Sequence, residues 1–158
     1  MRIATARQIL LFALLFMVPA ACSERPVTIG DLYLESRTAL EAYKKGNYSY
    51  APANGKITVS TKKDAAQVRI VAIGFVNDRK MALHLTFPTT CLLKHAPCLR
   101  DANQEFDALK KCVDRAADGS PATGSCSVST LIINGESGLI VRDRLHAPHM
   151  DVWVYDVD

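Results

Sequence analysis

Two strand-period runs flanking a polar turn set the first limit on the fold. Val68–Val76 is apolar on both faces, with Arg69 its only charge, and Asn77-Asp78-Arg79-Lys80 follows as a turn. Met81, Leu83, Leu85 and Phe87 then alternate with Ala82, His84 and Thr86. A side-chain period of two requires extended backbone. Turn residues between two such runs make an antiparallel hairpin. The set from Met81 to Phe87 is therefore expected to face a core, and His84 to face outward.

The remaining elements must cover that hairpin. Asp31 can cap a helix running to about Lys45, with Leu32, Ser36, Ala39, Leu40 and Tyr43 on one stripe and Gly46 as a stop. Asp101 and Gln104 stand as an analogue of a capping box for a second helix. Its stripe is Ala102, Phe106, Leu109, Val113 and Ala116, and it ends before Gly119. Further strands are expected at Ile57–Thr61, Val128–Ile133, Leu139–Leu145 and Val152–Val157. The order, a helix and three strands given twice, predicts an α+β domain with a mainly antiparallel sheet of about six strands. Both helices then pack on one face. No Gly/Ser-rich linker divides the halves, so residues 31–158 are read as one domain.

The N-terminal segment has a different composition. Arg2 and Arg7 precede the apolar run Ile9–Val18, and Pro19-Ala20-Ala21-Cys22 leads into the polar Ser23-Glu24-Arg25-Pro26. These are the parts of a secretory signal peptide. The apolar run falls short of the roughly 20 residues that a membrane span needs. Residues 1–21 are thus read as the signal and 22–30 as a tether. Ala20-Ala21-Cys22 resembles the lipobox of bacterial lipoproteins, with Pro19 where that family carries an aliphatic residue. The resemblance implies that Cys22 carries lipid as the first mature residue. Because Ser23 and Glu24 include no Asp, it also implies the outer membrane, facing the periplasm. Cleavage after Ala20 or Ala21 by the ordinary signal peptidase is the alternative, and would leave a soluble periplasmic or secreted protein.

Arg2 and Arg7 are the only charged residues among the first 21, so the other 137 carry 17 basic and 16 acidic groups. A near-neutral body with no basic run longer than two residues argues against an electrostatic nucleic-acid binder. Of five cysteines, Cys22 is assigned to the anchor, which leaves an even number for an oxidising compartment. Cys91, Cys98, Cys112 and Cys126 allow three pairings. Chain neighbours are favoured, Cys91 with Cys98 and Cys112 with Cys126, worth about 2.5 and 3 kcal/mol by loop entropy. The spacings include no close ligand pair of the kind that zinc sites use.

Catalytic motifs are lacking. The sequence has no nucleophile elbow, phosphate loop, dinucleotide fingerprint or His-Glu-x-x-His. His146, His149 and Asp151 lie within six residues and are weak metal candidates, but Pro148 breaks helical spacing, and a polar loop is expected. Ser125, Ser127 and Ser129 have no evident His partner, and Asp143 and Asp156 are expected to face solvent from strands. No cofactor is expected. Trp153 and Tyr155 share one face of the last strand, opposite Val152, Val154 and Asp156. If the valines face the core, the two aromatics stand exposed on a strand that could be an edge, as a contact surface.

The expectation is a non-enzymatic envelope lipoprotein that binds a protein partner in the periplasm. It would serve as an inhibitor or immunity factor, or as an accessory subunit of a secretion or conjugation system. The alternatives are a small periplasmic metal-dependent hydrolase using His146, His149 and Asp151, and a soluble periplasmic ligand-binding protein.

Overall fold

The chain runs α1 (Ile29–Lys44), β1 (Thr58–Lys63), β2 (Gln67–Val76), β3 (Arg79–Pro88), α2 (Ala102–Ala117), β4 (Cys126–Ile133), β5 (Glu136–Asp143) and β6 (Met150–Tyr155). A short 3-10 turn, Thr89–Leu92, follows β3. The structure is a computed structural model that describes residues 27–46, 50, 57–63, 66–92, 101–133 and 135–155. The six strands form one sheet in the order β1-β2-β3-β6-β5-β4, every pair antiparallel. The α+β class, the two helices and the six-stranded antiparallel sheet follow the sequence periodicity.

The described residues form two similar units, each a helix followed by a three-stranded meander. They meet where β3 pairs with β6, and exchanging the units maps the strand order onto itself. The hairpin between β2 and β3 turns on two residues, Asn77 (φ 50°) and Asp78 (φ 63°), both in the left-handed region. That geometry suits the right-handed twist of paired strands, and Asn and Asp tolerate it best among residues with a Cβ. Arg79 and Lys80 consequently belong to β3 and not to the turn.

One face of the sheet carries the core. Val68, Ile70 and Ala72 lie across from Phe87, Leu85 and Leu83, and Leu83 and Leu85 lie across from Val152 and Met150 of β6. All are buried against Leu32, Ala39 and Leu40 of α1 and Phe106, Leu109 and Val113 of α2. The expected stripe of α1 is buried in full, including Ser36, whose hydroxyl donates to the Leu32 carbonyl at 2.8 Å. That bond satisfies a polar group within an apolar layer.

The helix caps differ from those read in the sequence. Thr28, not Asp31, caps α1, and Asp31 is its reciprocal partner: the Thr28 N–H donates to the Asp31 carboxylate at 2.7 Å and the Asp31 N–H to Thr28 Oγ1 at 3.2 Å. The folded body thus begins within the stretch read as tether. At α2, Asp101 has helical backbone angles (φ −88°, ψ −5°) and its side chain caps nothing, so the expected box with Gln104 does not form. A cap needs extended backbone to aim its oxygen at the first free N–H groups.

Cys112 of α2 and Cys126 of β4 are joined in a disulfide with a Cα–Cα distance of 5.5 Å, as the neighbour pairing requires. The Cys91–Cys98 pairing, Cys22, the signal segment and Asp156 lie outside the described residues.

Candidate functional site

The short connection 144–149 between β5 and β6 brings most of the titratable candidates into structure. Asp143, expected to face solvent, is instead 3% exposed. Its Oδ1 accepts the backbone N–H groups of Leu145 (3.2 Å) and His146 (3.0 Å), and its Oδ2 lies 3.1 Å from His146 Nδ1. Burial pushes this carboxyl up, but the His146 N–H, the Ser125 hydroxyl and the His146 ring outweigh it and hold its pKa below the usual carboxylate value. Sequence did carry a local sign of this arrangement. An Asp whose carboxylate accepts the N–H groups two and three residues on is a turn-forming device.

Ser125 does have a histidine partner, since its Oγ lies 3.0 Å from His146 Nδ1. The trio Ser125, His146 and Asp143 is nonetheless not a catalytic relay. A relay needs the serine on one ring nitrogen and the carboxylate on the other, so that a proton can cross the ring. Here both partners address Nδ1. The trio instead fastens the Gly124–Ser125 corner to the β5–β6 connection. It lines an open groove of about 910 Å³ together with Lys111, Arg115, Arg144 and the disulfide-bonded Cys112 and Cys126.

His149 is held separately. Its backbone N–H donates to Glu105 Oε2 at 3.1 Å, and its Nδ1 lies 2.9 Å from Glu105 Oε1. Phe87 stacks on its ring at 5.4 Å between centroids, and its carbonyl accepts from the Thr86 N–H at 2.8 Å. Glu105 is a buried carboxylate on the helix face that the sequence pattern assigned to apolar residues. Its partner lies 44 residues away, so no local pattern could have exposed the pair. Asp151 pairs with Arg142 across β5 and β6 at 3.5 Å.

His146, His149 and Asp151 therefore answer to three different partners and do not converge as metal ligands. Among the described residues, the metal-ligand cluster that does converge is Cys112, Cys126 and Asp143. Its two sulfurs are bonded to each other and offer no thiolate. The expected polar loop is also better anchored than a loop, with Ala147 and Met150 buried.

The second candidate surface is the sheet face opposite the helices. Cross-strand register sets Ile73, Ala82, Trp153, Ile140 and Ser129 in one row, and Val71, His84, Asp151, Arg142 and Ser127 in the next. Phe75, Lys80 and Tyr155 begin a third. Val152 and Val154 face the core, as the sequence reading required for Trp153 and Tyr155 to point away. The strand is not an edge, however. β6 sits between β3 and β5, so both aromatics are half-buried among neighbours.

The Trp153 indole lies between buried Ala82 and Ile140 and stacks on His84 at 4.2 Å. Lys80 Nζ stands 4.8 Å from the Tyr155 ring centre, and Phe75 is 57% exposed. Three side-chain atoms of this face, Trp153 Nε1, His84 Nε2 and Asp151 Oδ1, are buried without a hydrogen-bond partner among the described residues. Burial lowers the His84 pKa, and Arg69 and Arg142 add to that against the opposing pull of Asp151.

Comparisons with protein-family models, with curated proteins and with solved structures found no match to this chain.

Proposed function

We propose that the protein is a non-catalytic binding protein whose sheet face opposite the two helices, centred on Trp153 and Tyr155, receives a protein partner in the bacterial envelope. The observation that supports this reading is the composition of that face. It gathers Phe75, Trp153, Tyr155 and His84 with Ile73 and Val71, while both helices pack on the other side. Aromatic side chains set on rigid strands bring large contact area at small entropic cost, which is the character of interface anchors. On this reading the protein is carried through the inner membrane by residues 1–21 and held at the outer membrane by lipid on Cys22, or released soluble into the periplasm.

The test is capture from envelope extract by the purified protein, followed by the same capture with Trp153→Ala combined with Tyr155→Ala. The parent should retain one dominant partner and the variant should lose it while keeping its circular dichroism. Undiminished capture by a folded variant would remove this face from the reading. Intact mass of the mature N-terminus checks the anchor, because diacylglyceryl mass on Cys22 is expected and an unmodified Cys22 contradicts it.

A further inference from the structure

We infer that the β4 edge of the sheet is an interface for a second copy of this chain. The two edge strands of the sheet are protected very differently. β1 ends in Lys62 and Lys63, and charge on an edge opposes further pairing. β4, Cys126–Ile133, reads CSVSTLII, with no charge, proline or glycine in eight residues. Among the described residues it has a neighbour on one side only, β5. A long, uncharged, β-branched edge is a template for strand addition.

The strand is also complementary to itself. Val128, Thr130 and Ile132 pair with Val141, Leu139 and Ser137 of β5 and so lie on the helix-covered side of the sheet. Val128 is 37% exposed and Ile132 73% exposed there, since the helices stop short of the edge. In an antiparallel pair of identical strands centred on Thr130, each Val128 meets the Ile132 of the partner copy, and each Ser129 meets its Leu131. Both exposed apolar side chains are then covered twice over. Centring on Ser129 instead would set Val128 against Thr130 and leave Ile132 against the disulfide-bonded Cys126.

α2 sits chiefly over β5. The two α2 helices would thus stand about three strand spacings apart, roughly 14 Å, against the 8–10 Å of packed helices. The cations Lys111 and Arg115 flank Cys126, four residues and about 13 Å from the two-fold axis, so like charges are kept apart. Two-fold closure joins the two six-stranded sheets and, among the described strands, leaves the lysine-bearing β1 edges outside.

The test is sedimentation of the purified protein over a concentration series, with single cysteines as markers of register. The parent should pass from monomer to dimer mass as concentration rises, and Ile132→Lys should remain monomeric while melting like the parent. Thr130→Cys should give a reducible covalent dimer on mild oxidation, because directly opposed residues have Cβ atoms about 5 Å apart. Val128→Cys should give none beyond the parent's own background, because its counterpart lies about 14 Å away. A monomer at every concentration up to about 1 mM would overturn the inference, and equal cross-linking at the two positions would overturn the register and with it the Val128–Ile132 argument.

Discussion

Tyr33 and Phe106 stack face to face at 4.1 Å with 7° between their planes, and each is the fifth residue of a 16-residue helix. The match extends along both helices. Ile29, Leu32, Ser36, Ala39 and Leu40 are buried in α1, and Ala102, Glu105, Leu109, Cys112 and Val113 are buried at the same positions of α2. The two units thus touch through equivalent residues twice, at this ring pair and along the β3–β6 seam. Asn103 Oδ1 fixes the contact by accepting from the Tyr33 hydroxyl at 2.6 Å and from Arg37 at 2.8 Å.

A double-mutant cycle should resolve the ring pair. Phe106 is 7% exposed, and its truncation to Ala should cost about 3–5 kcal/mol. The coupling with Tyr33→Ala should be about 0.5–1.5 kcal/mol, the range for aromatic pairs beyond burial. Denaturant midpoints of the parent, both singles and the double measure it. Strict additivity would mean that the helices do not communicate through these rings.

The buried carboxylate at the β5–β6 connection sets a second expectation. Asp143→Ala should cost about 1–3 kcal/mol, because it strips an acceptor from the backbone N–H groups of Leu145 and His146. The sign of its pH dependence follows from its lowered pKa. A carboxyl that is more acidic folded than unfolded adds stability above its unfolded pKa and loses it as pH falls through the folded value. The gap between parent and variant should therefore be full at neutral pH and close in acid. Chemical denaturation at a series of pH values reads it directly.

What sequence revealed and what it hid divide along chain distance. The stripe of α1 and the hairpin of Met81–Phe87 were legible because helix and strand periods are written in adjacent residues. The Thr28 box was misassigned by three positions because Thr and Asp each satisfy the preference for a capping oxygen. The position of β6 was not legible at all, since its neighbours β3 and β5 are chosen by long-range packing. Buried Glu105 was hidden for the same reason, as its partner His149 comes from another element. The Ser125–His146 contact spans 21 residues, and its ends meet where Cys126 is bonded to Cys112 and β4 is paired with β5, neither of which a local pattern shows.

His84 supplies a third expectation. Burial chiefly, with Arg69 and Arg142, lowers its pKa against the pull of Asp151, so the folded protein resists its protonation. An imidazole with a lower pKa folded than unfolded leaves stability intact above about 6.5 and erodes it as pH falls below that value. His84→Phe keeps an aromatic ring against Trp153 and removes the titration. Its melting temperature should fall less than that of the parent between pH 7 and pH 5. Parallel declines would assign the effect to other groups.

Gly138 tests the seam beneath the proposed contact face. It is buried on β5 opposite Tyr155, and a Cβ there would fall on the Val154 carbonyl oxygen, with the Tyr155 Cα only 3.2 Å away. Those are backbone atoms of the central strand and cannot rotate aside. Gly138→Ala should accordingly cost about 1–3 kcal/mol, the range for overpacking. Gly119 offers the contrast, because a Cβ there meets open space and only its φ of +69° opposes a side chain. The Gly119→Ala cost should be about 1–2 kcal/mol and purely local. Trp153 distinguishes the two mechanisms, being the single tryptophan of the chain and the neighbour of Ile140 in the pairing of β5 with β6. Its emission should shift in Gly138→Ala, as β6 gives way, and stay unchanged in Gly119→Ala. A Gly138→Ala protein with parental emission and midpoint would show that β5 can withdraw from β6 without disturbing the aromatic face.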